Sequence, residues 1–257
     1  MGCVGTMLSM DNGWEESAAG WIADMGDAGD FGRRYVLDPV MLPLAIARAP
    51  RQVLDVGCGE GRFCRMLKQG PEAIPVTGID PTAALISAAR ARDADGAYVQ
   101  AGGESLPFCD ESFDLVVSYL SLIDIPDIDA AIPEMARVLK PGGALLIANL
   151  NSFNTAGGEK GWVKDRDGRR LHYPIDNYLE ERSMWLAYRG IRIRNHHRPL
   201  STYFRALLAA GLHLSYFDEP APSAETPASK ARAYCRAPWF LVMEWVKPAA
   251  GALLESH

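Results

Sequence analysis

The sequence predicts an α/β protein built on a Rossmann-like, doubly wound sheet, and three observations carry that expectation. A short β-rich run over residues 52–56 ends in the glycine-rich stretch VGCGEG, as a strand does when it enters a tight turn and then a helix. Strand and helix signals then alternate at short spacing as far as residue 150. Repeated βα units of this kind feed right-handed crossovers into one sheet. Third, FDLVVSY at 113–119 is a continuous, mainly apolar run of the type covered on both faces in a parallel sheet.

The elements follow in chain order. Residues 1–50 carry Trp14, Trp21, Phe31 and Tyr35 and read as a helical lid. After the first strand, 62–68 reads as helix, 75–79 as strand, 82–92 as an alanine-rich helix and 97–100 as a third short strand. Residues 128–139 place Ile128, Ala131, Ile132, Met135 and Leu139 near helical spacing. Pro141-Gly142-Gly143 breaks that helix ahead of a fifth strand over 144–150. The next stretch, 151–199, loses the rhythm and reads as an inserted cap. Its aromatic residues Trp162, Tyr173, Tyr178, Trp185 and Tyr188 suit either a lid over an apolar acceptor or the small core of the cap itself. A helix over 202–210 and strands over 212–217 and 239–246 complete the domain as a hairpin-like edge. The segment between those strands, 219–230, is rich in Pro, Ala and Ser and reads as a loop. Residues 248–257 are expected to fray. The division is therefore a lid (1–50), a sheet domain (51–150 and 200–247), a cap (151–199) and a tail.

Composition excludes several classes of function. The chain of 257 residues is 48 % hydrophobic and 23 % charged, which is ordinary for a globular protein. A net charge of −6 argues against a nucleic-acid partner, which calls for a basic field. Arg189, Arg192, Arg194 and Arg198 alternate with other residues along an expected strand and read as a solvated face. Five cysteines, an odd number with no C-x-x-C pair, and no visible signal peptide point to a reducing cytoplasm. No apolar run has the length to span a bilayer. Met1-Gly2-Cys3-Val4-Gly5-Thr6 fits the loose myristoylation pattern, which is short and context-free.

In a doubly wound sheet, ligands bind beyond the carboxyl ends of the strands, where strand order reverses. Gly57, Gly59 and Gly61 sit at such an end, with Asp55 two residues before the first of them. A dinucleotide fingerprint would place a third glycine at position 62, which is Arg62. Asp80 closes the second strand in GIDP, where a carboxylate can accept hydrogen bonds from both ribose hydroxyls or cap the following helix.

The order VLDVGCGEG, GIDP, GESLPFCDESFDLVVS and ARVLKPGG, from about residue 52 to 150, resembles the class I S-adenosylmethionine-dependent methyltransferases, and among them the small-molecule group with the LPF…SFD…LKPGG signature. The resemblance implies a seven-stranded sheet whose last strand is antiparallel. It implies that the loop of Asp55, Gly57, Cys58 and Gly59 cradles the methionine part of S-adenosyl-L-methionine and that Asp80 holds the ribose. Pro81 would lie against the adenine, and Gly103, Glu104 and Ser105 would contact its edge. Ser118, Tyr119 and Leu120 would border the sulfonium. Relatives often carry Asp where this chain has Gly102, so Glu104 or backbone must serve the adenine amino group instead.

A sulfonium methyl is already activated, so transfer is an in-line displacement governed chiefly by positioning. A general base is needed only when the acceptor stays protonated. Asp124, in SLIDIPD just after the fourth strand, and His197, in NHHRPLSTYF, are the candidates for that role; His196, His172 and Tyr173 are weaker ones. No pair has metal-ligand spacing, and no metal is expected. The expected activity is methyl transfer to O, N or C of a small organic molecule, leaving S-adenosyl-L-homocysteine. A non-catalytic binding protein on the same fold is the alternative.

Overall fold

The computed structural model describes residues 12–157 and 161–249. The myristoylation-like start and most of the expected tail lie outside the described residues. Helix α1 (Trp14–Met25), a π-helical turn (Arg33–Leu37) and α2 (Asp38–Ala47) precede the sheet. Then come β1 (Val53–Val56), α3 (Arg62–Gln69), β2 (Val76–Asp80), α4 (Ala83–Arg92), β3 (Ala97–Gln100) and β4 (Phe113–Tyr119). Helix α5 (Ile128–Val138) leads into β5 (Leu139–Leu150). The stretch expected as a cap holds α6 (Ser152–Ala156), β6 (Val163–Lys164), β7 (Arg170–His172), β8 (Arg182–Tyr188) and β9 (Ile191–His197). The chain closes with α7 (Leu200–Ala209), β10 (His213–Asp218), α8 (Ala228–Arg236) and β11 (Phe240–Val246).

Seven strands form one sheet in the order β10-β11-β5-β4-β1-β2-β3. Strands β1 to β5 are parallel, while β11 runs antiparallel to both β5 and β10. Strand order reverses between β1 and β4, which fixes the ligand crevice at their carboxyl ends. Residues alternate across the sheet as pleating requires. Leu145 and Ile147 of β5 pack on one side with Ile132 and Met135 of α5 and Leu207 of α7. Leu146 and Ala148 pack on the other with Met41 of α2 and Phe63 and Leu67 of α3.

Three expectations are corrected. Pro141-Gly142-Gly143 does not delimit β5, which begins at Leu139 and shifts register there. The turn stays in the sheet because the Gly142 N–H donates to the Lys247 carbonyl at 2.8 Å and the Lys247 N–H to the Gly143 carbonyl at 2.9 Å. The expected loop 219–230 gives way at Ala228 to α8, a run of helix formers following Pro227. Arg198 is not on a solvated face. It is 5 % exposed, and its guanidinium donates to the carbonyls of Leu122, Ile125 and Pro126 at 3.2, 2.8 and 2.8 Å.

The N-terminal helices are tied to the sheet domain by Arg62, the residue at the would-be third glycine position. Its guanidinium donates to Asp38 at 3.1 Å and to the Ala28 carbonyl at 2.7 Å, and the Tyr119 hydroxyl donates to Asp38 at 2.8 Å. Two further ties hold α1. The Arg194 N–H donates to the Asn12 carbonyl at 3.0 Å, joining the segment ahead of α1 to the β8–β9 hairpin. On the other side, Glu15 accepts from the Ala84 N–H at 3.1 Å at the start of α4. Because both side chains of the Arg62–Asp38 pair are nearly buried, Arg62→Ala strands an uncompensated carboxylate and should cost about 3–5 kcal/mol in urea unfolding. A loss below about 1 kcal/mol, the worth of an exposed pair, would place the attachment of the lid elsewhere.

Candidate active site

The turn after β1 is shaped by contact on two sides. Gly57, Gly59 and Gly61 have φ of +76°, +57° and +77°, a region that side chains avoid. A Cβ on Gly57 would come within 2.3 Å of Ser121 Cβ, and one on Gly61 within 2.6 Å of the Tyr98 hydroxyl. At Gly59 the nearest atom would be Trp21 Nε1, 3.9 Å away. Two of the glycines therefore permit packing, and the middle one faces open space. That space is a cleft of about 50 Å³ lined by Trp21, Met25, Arg33, Asp55, Gly59 and Tyr119, among others.

Asp55 and Asp80 stand on either side of this turn. Asp55 is 1 % exposed; one carboxyl oxygen accepts from the Cys64 thiol at 3.3 Å and the other has no partner. Burial pushes its carboxyl up to about 7, against the Cys64 bond and with help from Asp80. Asp80 accepts from the Gly59 N–H at 3.0 Å and the Thr82 N–H at 2.9 Å, with the Thr82 hydroxyl as a further donor, which leaves part of its acceptor capacity free. Burial raises its carboxyl above the usual range, and those two N–H groups work against the rise. Cys58 has its N–H on the Ile79 carbonyl at 2.8 Å, and its thiol contacts Cys64.

The expected adenine edge sits next to β2. Pro81 and Ser105 are exposed and Gly103 is buried, packed against Val56 and Ile125. A Cβ on Gly102 would lie 2.9 Å from Glu104 Oε2, so the Glu104 carboxylate stands over the position where the resemblance would have an Asp.

At the end of β4 the three expected residues separate in role. Ser118 is fully buried, and its hydroxyl is 2.7 Å from that of Ser121, which donates to the Val56 carbonyl at 2.6 Å. Its side chain is thus a latch between β1 and β4 and does not line the cleft. Tyr119 does line it, edge-on to Phe63 at 5.0 Å. Leu120 holds φ +58° with its N–H on the Ala148 carbonyl at 2.8 Å, a strained backbone at the lip of the crevice.

Asp124 is partly exposed at this lip, yet its surroundings are packed closely enough that burial pushes its carboxyl up to about 8. Asn195 of β9 donates to it through its amide, and the Trp14 indole N–H is a second donor. The loop that carries it, 122–126, is the one gripped by Arg198, and the His196 N–H donates to the Ile123 carbonyl at 2.8 Å. His197 is a different matter. It is fully buried, with Nδ1 2.6 Å from the Thr155 hydroxyl and Nε2 2.9 Å from the Tyr178 carbonyl. A carbonyl only accepts, so Nε2 carries a proton, while Nδ1 pairs with the Thr155 hydroxyl, which also reaches the Ser152 carbonyl at 3.0 Å. Both ring nitrogens are spent on structure, and burial lowers the tendency of the ring to protonate. The expectation of His197 as a base is corrected on that ground.

Asn195 had no place among the expected site residues. The available signal was its register: Ile191, Ile193, Asn195 and His197 share the buried face of β9. Among the described residues, no group of three His, Cys, Asp or Glu is placed to hold a metal, and no helix is long and apolar enough to cross a membrane.

Residues 54–147 match the family model described as a methyltransferase domain. The malonyl-[acyl-carrier protein] O-methyltransferase of Salmonella typhimurium is 31 % identical over 171 residues, 66 % of this chain and 65 % of that protein. The demethylmenaquinone methyltransferase of Thermotoga maritima is 33 % identical over 106 residues, 41 % of this chain and 46 % of that protein. The chain thus spans less than two thirds of either curated relative. The crystal structure of an S-adenosylmethionine dependent methyltransferase from Mesorhizobium loti is 29 % identical with a TM-score of 0.68, covering 79 % of this chain and 96 % of that one.

The raised Asp55 carboxyl has a thermodynamic consequence. Between pH 4 and about 7 the folded protein keeps a proton there that the unfolded chain has released, so this residue erodes stability as pH rises through that window. Asp55→Asn removes the effect. Its stability relative to the parent should climb with pH by up to about 1.4 kcal/mol per unit and level off above 7, as read by urea unfolding. A difference independent of pH would show that Asp55 ionises alike in both states.

Proposed function

We propose that this chain, which carries a class I S-adenosylmethionine-dependent methyltransferase domain, moves a methyl group from S-adenosyl-L-methionine to a small organic acceptor by in-line displacement. The observation that carries this reading is the turn at Gly59, open to the cleft and flanked by two buried carboxylates with acceptor capacity to spare. Asp80 would hold the ribose hydroxyls. The free oxygen of Asp55 would face the amino end of the methionine part, and Arg33 its carboxylate. Gly103, Ser105 and Pro81 would frame the adenine, with Glu104 in place of the missing Asp. When bound, the cofactor supplies a methyl group activated by its sulfonium. The chain's task is then to orient the acceptor, exclude water and hold a proton. Tyr119 and Leu120 form the wall beside the reacting centre, α1 and the hairpin close the mouth, and Asp124 is the residue placed to take a proton.

S-adenosylmethionine or S-adenosylhomocysteine at one hundred times its dissociation constant adds about 2.7 kcal/mol, which for a chain of this size raises the unfolding temperature by roughly 5–10 °C. NAD at the same concentration should add nothing, because position 62 is arginine. Asp80→Ala should weaken cofactor binding by about tenfold or more in calorimetry, the loss of at least one charge-assisted bond. An unchanged constant would remove Asp80 from the ribose. Cofactor binding without any methylated product across acceptor classes would favour the non-catalytic reading.

A further inference from the structure

We infer that the acceptor is an amine, entering as an ammonium ion that pairs with the Asp124 carboxylate beside the rings of Trp14 and Trp21. The inference rests on the methyltransferase reading above and specifies the acceptor class for the same site.

The partners of Asp124 come first. Its two donors, the Asn195 amide and the Trp14 indole, are neutral. The cation whose field reaches it, Arg33, is paired with Asp30 at 2.7 Å. A half-buried carboxylate supplied only with neutral donors is short of a counter-charge, and an ammonium ion provides one. The walls are matched to such a guest. Trp14 and Trp21 meet edge to face with centroids 5.0 Å apart. Trp21 already holds one cation, because the Arg33 guanidinium lies 4.9 Å from its centroid and 5.8 Å from that of Tyr119. Of the carboxylates nearby, Asp24 is paired with Arg189 and Asp30 with Arg33, each at 2.7 Å, whereas Asp124 has no ion pair among the described residues. A carboxylate acceptor would meet like charge at Asp124, and a neutral phenol would leave it without a counter-ion.

The chemistry balances. The ammonium ion gives a proton to the Asp124 carboxylate, which becomes a carboxylic acid and frees the nitrogen lone pair. That pair forms the N–C bond to the methyl group as the C–S bond breaks, and sulfur keeps the bonding electrons. The products are a methylammonium ion and the neutral thioether S-adenosylhomocysteine. The proton on Asp124 returns to water when they leave.

The test uses the full chain saturated with S-adenosylhomocysteine, titrated in calorimetry with phenethylamine, phenylpropionate and ethylphenol, which share a ring and differ in head group. Phenethylamine should bind about tenfold more tightly than either other probe, and Asp124→Asn should abolish that preference while leaving S-adenosylhomocysteine affinity unchanged. With S-adenosylmethionine in place of the product, phenethylamine should gain one methyl group by mass. Equal or tighter binding of phenylpropionate or ethylphenol, or no binding of any probe, overturns the amine assignment. So does a preference that survives in Asp124→Asn. The head-group comparison in the unmutated protein stands even where the variant folds poorly. Failure of S-adenosylhomocysteine itself to bind would instead overturn the methyltransferase reading and this inference with it.

Discussion

The cleft depends on how closely the end of β1 approaches the turn that follows β4. Ser121 sets that distance: its Cβ lies where a side chain on Gly57 would be, and its hydroxyl bonds both the Val56 carbonyl and Ser118. With the two strand ends locked together, the Gly59 N–H points at Asp80, and the open side of the turn faces Tyr119. A bulkier residue at 57 would force β1 and β4 apart and misplace every group that converges on the crevice.

Around this fixed centre the remaining walls are supplied from distant parts of the chain. Arg62 draws the N-terminal helices over the turn, and Arg198 draws the hairpin onto the loop of Asp124. Arg198 is buried and Arg62 nearly so, and both bind chiefly carbonyl oxygens or a carboxylate in fixed geometry, work for which a planar, always-charged donor is suited. Asn195 then reaches Asp124 because the buried face of β9 runs directly beside that loop.

What was legible in the sequence was local. The strands at 97–100 and 113–119 and the turn at Gly57–Gly61 follow from apolar runs, glycine spacing and the short range of a βα unit. The charge and histidine readings went wrong where the partner is remote. Arg198 looks like one more surface arginine until the chain folds 72 to 76 residues back onto it. His197 looks like a free base until Thr155 and Tyr178 take both its nitrogens. Proline and glycine at 141–143 are turn signals that the end of β11 turns into part of a strand. Asp55 and Asp80 were expected beside the glycine turn because motif order places them near the ends of β1 and β2, where they stand. Asn195 was not, because nothing near it in the chain says which way β9 faces.

Helix α1 touches both halves of the crevice. Asn12, just ahead of it, bonds the hairpin at Arg194, Ser17 bonds Arg192 on the same strand, and Glu15 receives the Ala84 N–H in the first turn of α4 on the opposite side. On the proposed function the segment would be a shared door, held to the wall beside the acceptor and to the wall beside the nucleoside. Opening it would release both sets of bonds, so departure of the spent nucleoside and of the modified acceptor would draw on one motion. Residence times of the two products would then rise and fall together, and turnover would be paced by that door as much as by the bond it encloses.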